Sequence, residues 1–247
     1  MTAAVPARWC PAPEVPEHPL ARVDMVEVGQ GVKMLVELGP RTRDGGTAFR
    51  VMLHAEGLGR TREPVLHGVH HPDRRGVPGG IEVTHLQARV PVRDGDVDLP
   101  EGIAAQILLA LGALVPAGGH LVAVYESEAL QQTALALDAG VPPEATPLGA
   151  MMFSAGCGIA LQDLHASDGA RGARRLRGMR ALDEAHAVRR AAPALAALEA
   201  FMGRSKHLDW GLQVTCRPLA EQVMGVLRER LGLGAGPVPL DIAERVR

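Results

Sequence analysis

The 247-residue sequence is short of aromatic side chains, which make up 2% of it, with a single tyrosine. So few rings leave little for stacking on unpaired bases. Charge of one sign is also lacking: 26 Lys and Arg stand against 28 Asp and Glu, a net charge of -2. No bulk field therefore favours nucleic acid or anionic lipid, and neither a nucleic acid nor a membrane is expected as a partner. No apolar run reaches the ~18 residues that a bilayer span needs. The opening stretch has no apolar core of the kind a secretory signal carries, which predicts a cytoplasmic protein. The three cysteines, Cys10, Cys157 and Cys216, are too widely spaced for a disulfide framework or a zinc knuckle, and they read as thiols.

What is present suits a globular chain: 47% hydrophobic and 22% charged residues, with length enough for a sizeable core. Five prolines between Pro6 and Pro19 make residues 1–20 a tail or strap without regular structure. From Val32 to Val92, short β-type runs (VKMLVEL, TAFRVMLH, EPVLHGVHH, IEVTHLQARV) alternate with Gly-rich turns, which predicts a meander with no helix in it. The period then changes. Ile103, Ile107, Leu111 and Leu114 share one helical face, and HLVAVY from His120 follows as a buried strand. A helix capped by Ser127 ends at Gly140, another opens at Thr146-Pro147 and ends at Gly156, and GIALQDLHA is the next strand. The basic run from Arg171 to Arg180 is expected as a solvated loop able to meet a phosphate or carboxylate. Helices follow from Asp183, the last one after Pro218 with Leu219, Val223, Leu227 and Leu231 as its stripe and Gly232 as its stop. The expected organisation is a tail (1–20), an α/β domain (21–182) and a helical extension (183–247). No internal repeat is present.

Two features carry chemistry. In IEVTHLQARV the apolar phase slips between Val83 and Leu86, and a strand absorbs such a slip with a bulge, here near Thr84-His85, which frees backbone groups. Small residues then open the helix at Gly102-Ile103-Ala104, where backbone N–H groups and the helix dipole favour an anion. A bulged strand, a Gly-x-Ala helix start, a buried strand and a helix closing on glycine resemble the second half of the GNAT-type N-acetyltransferase fold, over about residues 32–166. The resemblance implies an α/β fold with a mixed, largely antiparallel sheet. It implies acetyl-CoA or another acyl-CoA, with its pyrophosphate on Gly102, Ile103 and Ala104 and its thioester facing Val83, Thr84 and His85. The sequence departs from that family at Leu99, where an Arg or Gln is usual, and at Met152 or Ser154, where many members place a tyrosine. Residues 140–169, with Gly140-Val-Pro-Pro143, Leu148-Gly149, Ala155-Gly156-Cys157 and Asp163, also resemble an uncharacterised archaeal and bacterial family known only as a domain of unknown function. That likeness points to Asp163 as a substrate contact.

The expected activity is acyl transfer to an amine of a small molecule or peptide. Glu82 or His85 would serve as base, because both side chains are tunable towards neutral pH. Tyr125 ends a strand where a cleft would open in an α/β sheet. Each of these has a bland alternative: solvent-facing strand positions for Glu82 and His85, a core ring for Tyr125. His67, His70 and His71 cluster in sequence, but residues 67 and 70 point to opposite faces of a strand, so no metal site is assigned. Two other functions stay open. One is an S-adenosylmethionine-dependent methyltransferase, suggested by LVPAGGHLVAVYE and AGCGI; the other is a non-catalytic GNAT-like binding module. The two terminal helices can fold back on the sheet or pair with a second chain, and a homodimer is the expectation.

Overall fold

The structure, a computed structural model, describes residues 8–56, 59–87, 89–92, 95–98, 103–124, 128–157, 162–168 and 174–234. In chain order the strands are β1 (Cys10–Pro11), β2 (Val32–Arg41), β3 (Thr47–Ala55), β4 (Gly59–Arg60), β5 (Leu66–His71), β6 (Gly80–Leu86), β7 (Arg89–Val92), β8 (Gly95–Asp98), β9 (His120–Val124), β10 (Gln162–Asp168) and β11 (Arg174–Arg180). The helices are α1 (Ile103–Ala113), α2 (Glu128–Asp138), α3 (Pro147–Cys157), α4 (Glu184–Arg204) and α5 (Trp210–Arg230).

The sheet runs β1-β2-β3-β5-β6-β9-β11-β10, with β4 beside β3; β7 and β8 form a separate ribbon. Every neighbouring pair is antiparallel except β6 and β9. The fold is therefore α/β with a largely antiparallel, open sheet, as expected. The meander turns on glycine where the backbone demands it: Gly45 takes φ +75° between β2 and β3, and its N–H donates to the Thr42 carbonyl.

The apolar positions of the meander, among them Val36, Phe49, Leu66, Ile81 and Val83, lie on one face and are fully buried. Against that face pack Ile103, Ile107, Leu108 and Leu111 of α1 and Leu148, Met152 and Phe153 of α3, all in one cluster. The outer layer, α4 and α5, adds Leu195, Leu198, Phe201, Val223 and Leu227 to the same cluster. The Val223–Leu227 stripe is thus covered within one chain, and hiding it needs no second copy.

Two of the three predicted glycine stops form, while α3 runs through Gly156 to Cys157. After α2, Gly140 at φ +76° donates to the Leu137 carbonyl while Val141 donates to Ala136. After α5, Gly232 and Leu233 bond Glu229 and Arg228 in the same way.

Three expectations need correction. The proline-rich start is not without structure: β1 pairs with β2, and 3₁₀ turns at Ala12–Glu14 and Pro19–Val23 seat Ala12, Leu20 and Val23 in the core. The last helix begins at Trp210, not after Pro218, because Asp209 caps it by accepting the Gly211 N–H at 2.8 Å. The missing proline N–H, which costs ~3 kcal/mol in a helix interior, is offset by burial of Cys216, Ala220 and Met224. Most informative, Arg174–Arg180 is no loop; it is an inner strand between β9 and β10. Leu176 is buried while Arg175 and Arg177, on alternate positions, are not, so charge hid a period of two. No helix among the described residues is long and apolar enough to cross a membrane.

Candidate functional site

The expected slip in β6 is present. Leu66 pairs with Leu86 and His67 with His85, but Gly68 pairs with Val83, which leaves Thr84 as the extra residue of a bulge. The Thr84 hydroxyl donates to the His67 carbonyl at 3.3 Å, tying the bulge back to β5. Strands β5 and β6 approach closely here because Gly68 has no side chain: a Cβ on it would sit 2.5 Å from Phe49 Cζ and 2.6 Å from the Glu82 carbonyl oxygen. On the other side of β6, the described parallel pairing with β9 runs from Gly80–His120 to Val83–Ala123. The bulge thus follows directly on the last described position of the only parallel pair in the described sheet.

Strand alternation sends Ile81 and Val83 to the helices and puts Glu82 and His85 on the opposite face, where Glu82 is 24% exposed. Register brings partners to that face from three strands. Glu82, Val122 and Arg177 lie in one row across β6, β9 and β11; His120 and Met179 lie in the row on one side of it, and Val124 and Arg175 in the row on the other. From β5, His71 puts Nε2 3.6 Å from Glu82 Oε2, and its Nδ1 lies 3.4 Å from Asp44 Oδ2. From β11, Arg175 Nη2 lies 3.8 Å from Glu82 Oε1. A carboxylate is therefore flanked by an imidazole and a guanidinium. Burial, helped by the neighbouring Arg177 and His71 charges, lowers the His120 pKa and keeps that ring neutral near pH 7.

A second polar patch adjoins it. The His67 and His85 rings are 6.1 Å apart, and burial, then His85 and Arg50, lowers the His67 pKa. Arg50 is already committed: its Nε is 2.5 Å from Glu37 Oε2, and its guanidinium stacks 4.6 Å from the Trp9 ring centre. Arg60 hydrogen-bonds the other Glu37 oxygen. Burial alone would raise the Glu37 carboxyl, but these two guanidinium groups outweigh it and hold it below the usual range.

At the far end of β5, His70 points to the core side and meets His18 edge-on at 5.0 Å. Both line a pocket of about 610 Å³ with Arg22, Arg41 and Arg74. No group of three or more His, Cys, Asp or Glu among the described residues is arranged to hold a metal ion.

The family of proteins of unknown function designated DUF1122 matches residues 44–205, about two thirds of the sequence. The chain belongs to DUF1122. The matched span includes β5, β6, β9 and β11, and so every strand that lines the Glu82 face. It also includes residues 140–169, where sequence alone suggested an uncharacterised family. No curated protein matches this DUF1122 chain. A crystal structure of a protein of unknown function from Aquifex aeolicus VF5 resembles it with a TM-score of 0.48 and 17% identity, over 81% of this chain and 88% of that one.

Of the residues singled out from sequence, Glu82, Val83, Thr84 and His85 converge on the bulge of this DUF1122 chain. Ile103 and Ala104 open α1, whose first turn carries no acidic side chain. Asp163 pairs with Met179 in β10, one strand beyond β11. Gly102 and Tyr125 lie outside the described residues. His71 and the basic run that holds Arg175 and Arg177 were noted from sequence, but not as neighbours of Glu82; His120 was missed. Reading RRLRGMR as alternating in and out would have placed the two arginines on one face; the histidines depend on register.

Proposed function

We propose that this chain is a GNAT-like, acyl-CoA-dependent N-acyltransferase acting on an amine of a small molecule or peptide. The observation that carries the reading is the Thr84 bulge beside the only parallel pair of the described sheet, with the polar Glu82 face next to it. At a bulge, backbone groups lose their ladder partners and become available to a ligand. The start of α1 fits an anion, since its first N–H groups have no intrahelical acceptor and no acidic residue occupies its first turn. The single parallel pair in an otherwise antiparallel sheet favours this reading over a methyltransferase, whose sheet is built from alternating β and α units.

When bound, acyl-CoA supplies an acyl thioester as electrophile. Glu82 takes a proton from the incoming ammonium, so that a neutral amine faces the thioester carbonyl. His71, between Glu82 and the exposed Asp44, gives that proton a way out to water. An N–H released by the bulge at Thr84 stabilises negative charge on the carbonyl oxygen as the C–N bond forms. The C–S bond would then break, the leaving thiolate taking up the proton that the acylated nitrogen sheds, to give the amide and free coenzyme A. His85, on the same face, is the alternative base.

Thermal unfolding with coenzyme A, acetyl-CoA or S-adenosylhomocysteine tests the assignment. Stabilisation by the coenzyme A pair alone is the expected result, about 2.7 kcal/mol at a hundredfold excess over Kd. Stabilisation by S-adenosylhomocysteine instead would overturn it, and none by any of the three would leave a binding module without this cofactor.

A further inference from the structure

The pocket between the proline-rich start and the end of α1 is floored by donors that the chain itself does not use. Register sets Arg41 beside Thr47 and Thr47 beside His70, across β2, β3 and β5, and all three line the pocket. Thr47 is 5% exposed, and its hydroxyl has no hydrogen-bond partner among the described residues. His18, 6% exposed, completes the floor from the side of the proline-rich start. Because its Nδ1 accepts the Leu20 N–H at 3.3 Å, the ring proton sits on Nε2, and that N–H donates to none of the described residues. The His70 ring, edge-on to it at 5.0 Å, has no hydrogen bond to them either. Native folds rarely leave buried donors unmatched, so a floor of this kind is completed by water or by a ligand.

The rim supplies charge. Arg22, from the turn at Pro19–Val23, and Arg74, from the loop between β5 and β6, join Arg41 there. Neither Arg22 nor Arg74 has an ion-pair partner among the described residues, and the Arg74 guanidinium lies so close over Gly45 that a Cβ there would collide with it. Two carboxylates, Glu17 and Asp73, share the rim; both residues are exposed, and Asp73 already accepts the Gly79 N–H at 2.6 Å. Asp44, on the next turn, is engaged by the Thr42 hydroxyl and by His71. The negative pole of α1 is covered, because Arg180 bonds the Gly112 and Val115 carbonyls, and that helix end turns apolar groups, Ala113, Leu114 and Pro116, to the pocket.

We propose that this pocket binds a phosphate monoester, with its phosphate on the guanidinium, imidazole and hydroxyl groups and its organic part along the end of α1. A monoester presents three terminal oxygens and up to two negative charges, which suits donors that converge from several elements, whereas one arginine fork satisfies a carboxylate. The volume of about 610 Å³ is in the range of small-molecule sites. The pocket lies at the Gly80 end of β6, about 13 Å along the strand from the Thr84 bulge, and the proposal does not rest on the acyl-transfer reading.

Titration calorimetry on the whole protein at about 0.15 M salt, with phenyl phosphate, inorganic phosphate, benzoate and phenol as probes, tests this. Phenyl phosphate should bind with a Kd below about 1 mM, roughly tenfold or more tighter than benzoate or phenol, and tighter than inorganic phosphate. Arg22→Gln combined with Arg74→Gln changes two exposed positions and leaves the core alone; it should weaken phenyl phosphate by roughly tenfold or more. Thr47→Val keeps the shape of the side chain and removes the hydroxyl, and should weaken it by about three- to tenfold. No binding of phenyl phosphate would overturn the proposal and leave the floor to water. Benzoate or inorganic phosphate binding as tightly as phenyl phosphate would overturn the monoester assignment. Phenyl phosphate binding that is unchanged in the double arginine variant would overturn the site, because the phosphate would then lie elsewhere on the chain.

Discussion

Arg180, the last residue of β11, donates from Nη2 to the Gly112 carbonyl of α1 at 2.6 Å, and its Nη1 bonds the Val115 carbonyl. A buried guanidinium thus closes the C-terminal end of α1, where unpaired carbonyls and the negative end of the helix dipole gather. It sits 6% exposed, and burial lowers its pKa. Arg180→Met keeps the volume and strands the Val115 carbonyl, while Gly112 keeps only the Val115 N–H at 3.1 Å, so it should destabilise the fold by about 1–3 kcal/mol, a fall in Tm of roughly 2–12 °C. Differential scanning calorimetry reads this directly; an unchanged Tm would mean that water replaces the guanidinium.

Gly68 is the second point of strain-free closeness. Because a Cβ there would collide with both Phe49 and the Glu82 backbone, Gly68→Ala should cost about 2–3 kcal/mol. Adding Phe49→Leu should recover part of that loss and no more, since the contact with the Glu82 carbonyl remains. Full recovery in chemical denaturation would show that the strands can separate freely at the bulge.

Acidification should loosen the N-terminal strap. His70 is half-buried against His18, and burial, then the His18 and His71 charges, takes its pKa from 6.5 to about 4, with Asp73 opposing. Burial lowers His18 as well, and its Nδ1 accepts the Leu20 N–H at 3.3 Å. Both rings fold neutral, so the stability they contribute is complete above pH 6.5 and is lost as pH falls from 6.5 towards 4. For His70 the loss is on the order of 3 kcal/mol. Across pH 7.5 to 4.5, the slope of Tm should be shallower in His70→Leu than in wild type. Parallel slopes would clear His70 of that role.

The legible part of this fold is the part whose hydrophobic pattern runs with one period. The meander, the α1 face and the Gly140 and Gly232 stops could be read from spacing because core-facing residues there are apolar and outward ones polar. The phase slip at Thr84 was legible for the same reason, since it breaks an otherwise regular alternation. Strand β11 was not: Gly178 and Arg180 occupy two of its inward positions, so only Leu176 marks the buried side. Helix α5 was masked by Pro218, a local signal that tertiary burial overrides. At the site, Glu82 and His85 were visible as neighbours in sequence, but His71, His120 and Arg175 reach them through strand pairings that no local pattern contains.

The choice of base can be settled by two substitutions. Glu82 touches His71 and Arg175 only at 3.6 and 3.8 Å, and both contacts are partly exposed, so the pairs contribute little to stability. Glu82→Gln keeps the shape of the side chain and removes its capacity to take a proton. It should lower kcat for acyl transfer roughly 10²- to 10⁴-fold while shifting Tm by no more than about 2 °C. His71→Asn, which breaks the link from Glu82 to Asp44, should lower kcat less and move the pH profile, because it alters the environment of the base without removing it. His85→Ala serves as the competing arm: if it loses as much as Glu82→Gln is expected to lose, and Glu82→Gln loses nothing, the base lies beyond the bulge and not before it. Wild-type kinetics in both variants would remove both residues from the proton transfer and leave Tyr125, the third candidate from sequence, as the remaining group to test.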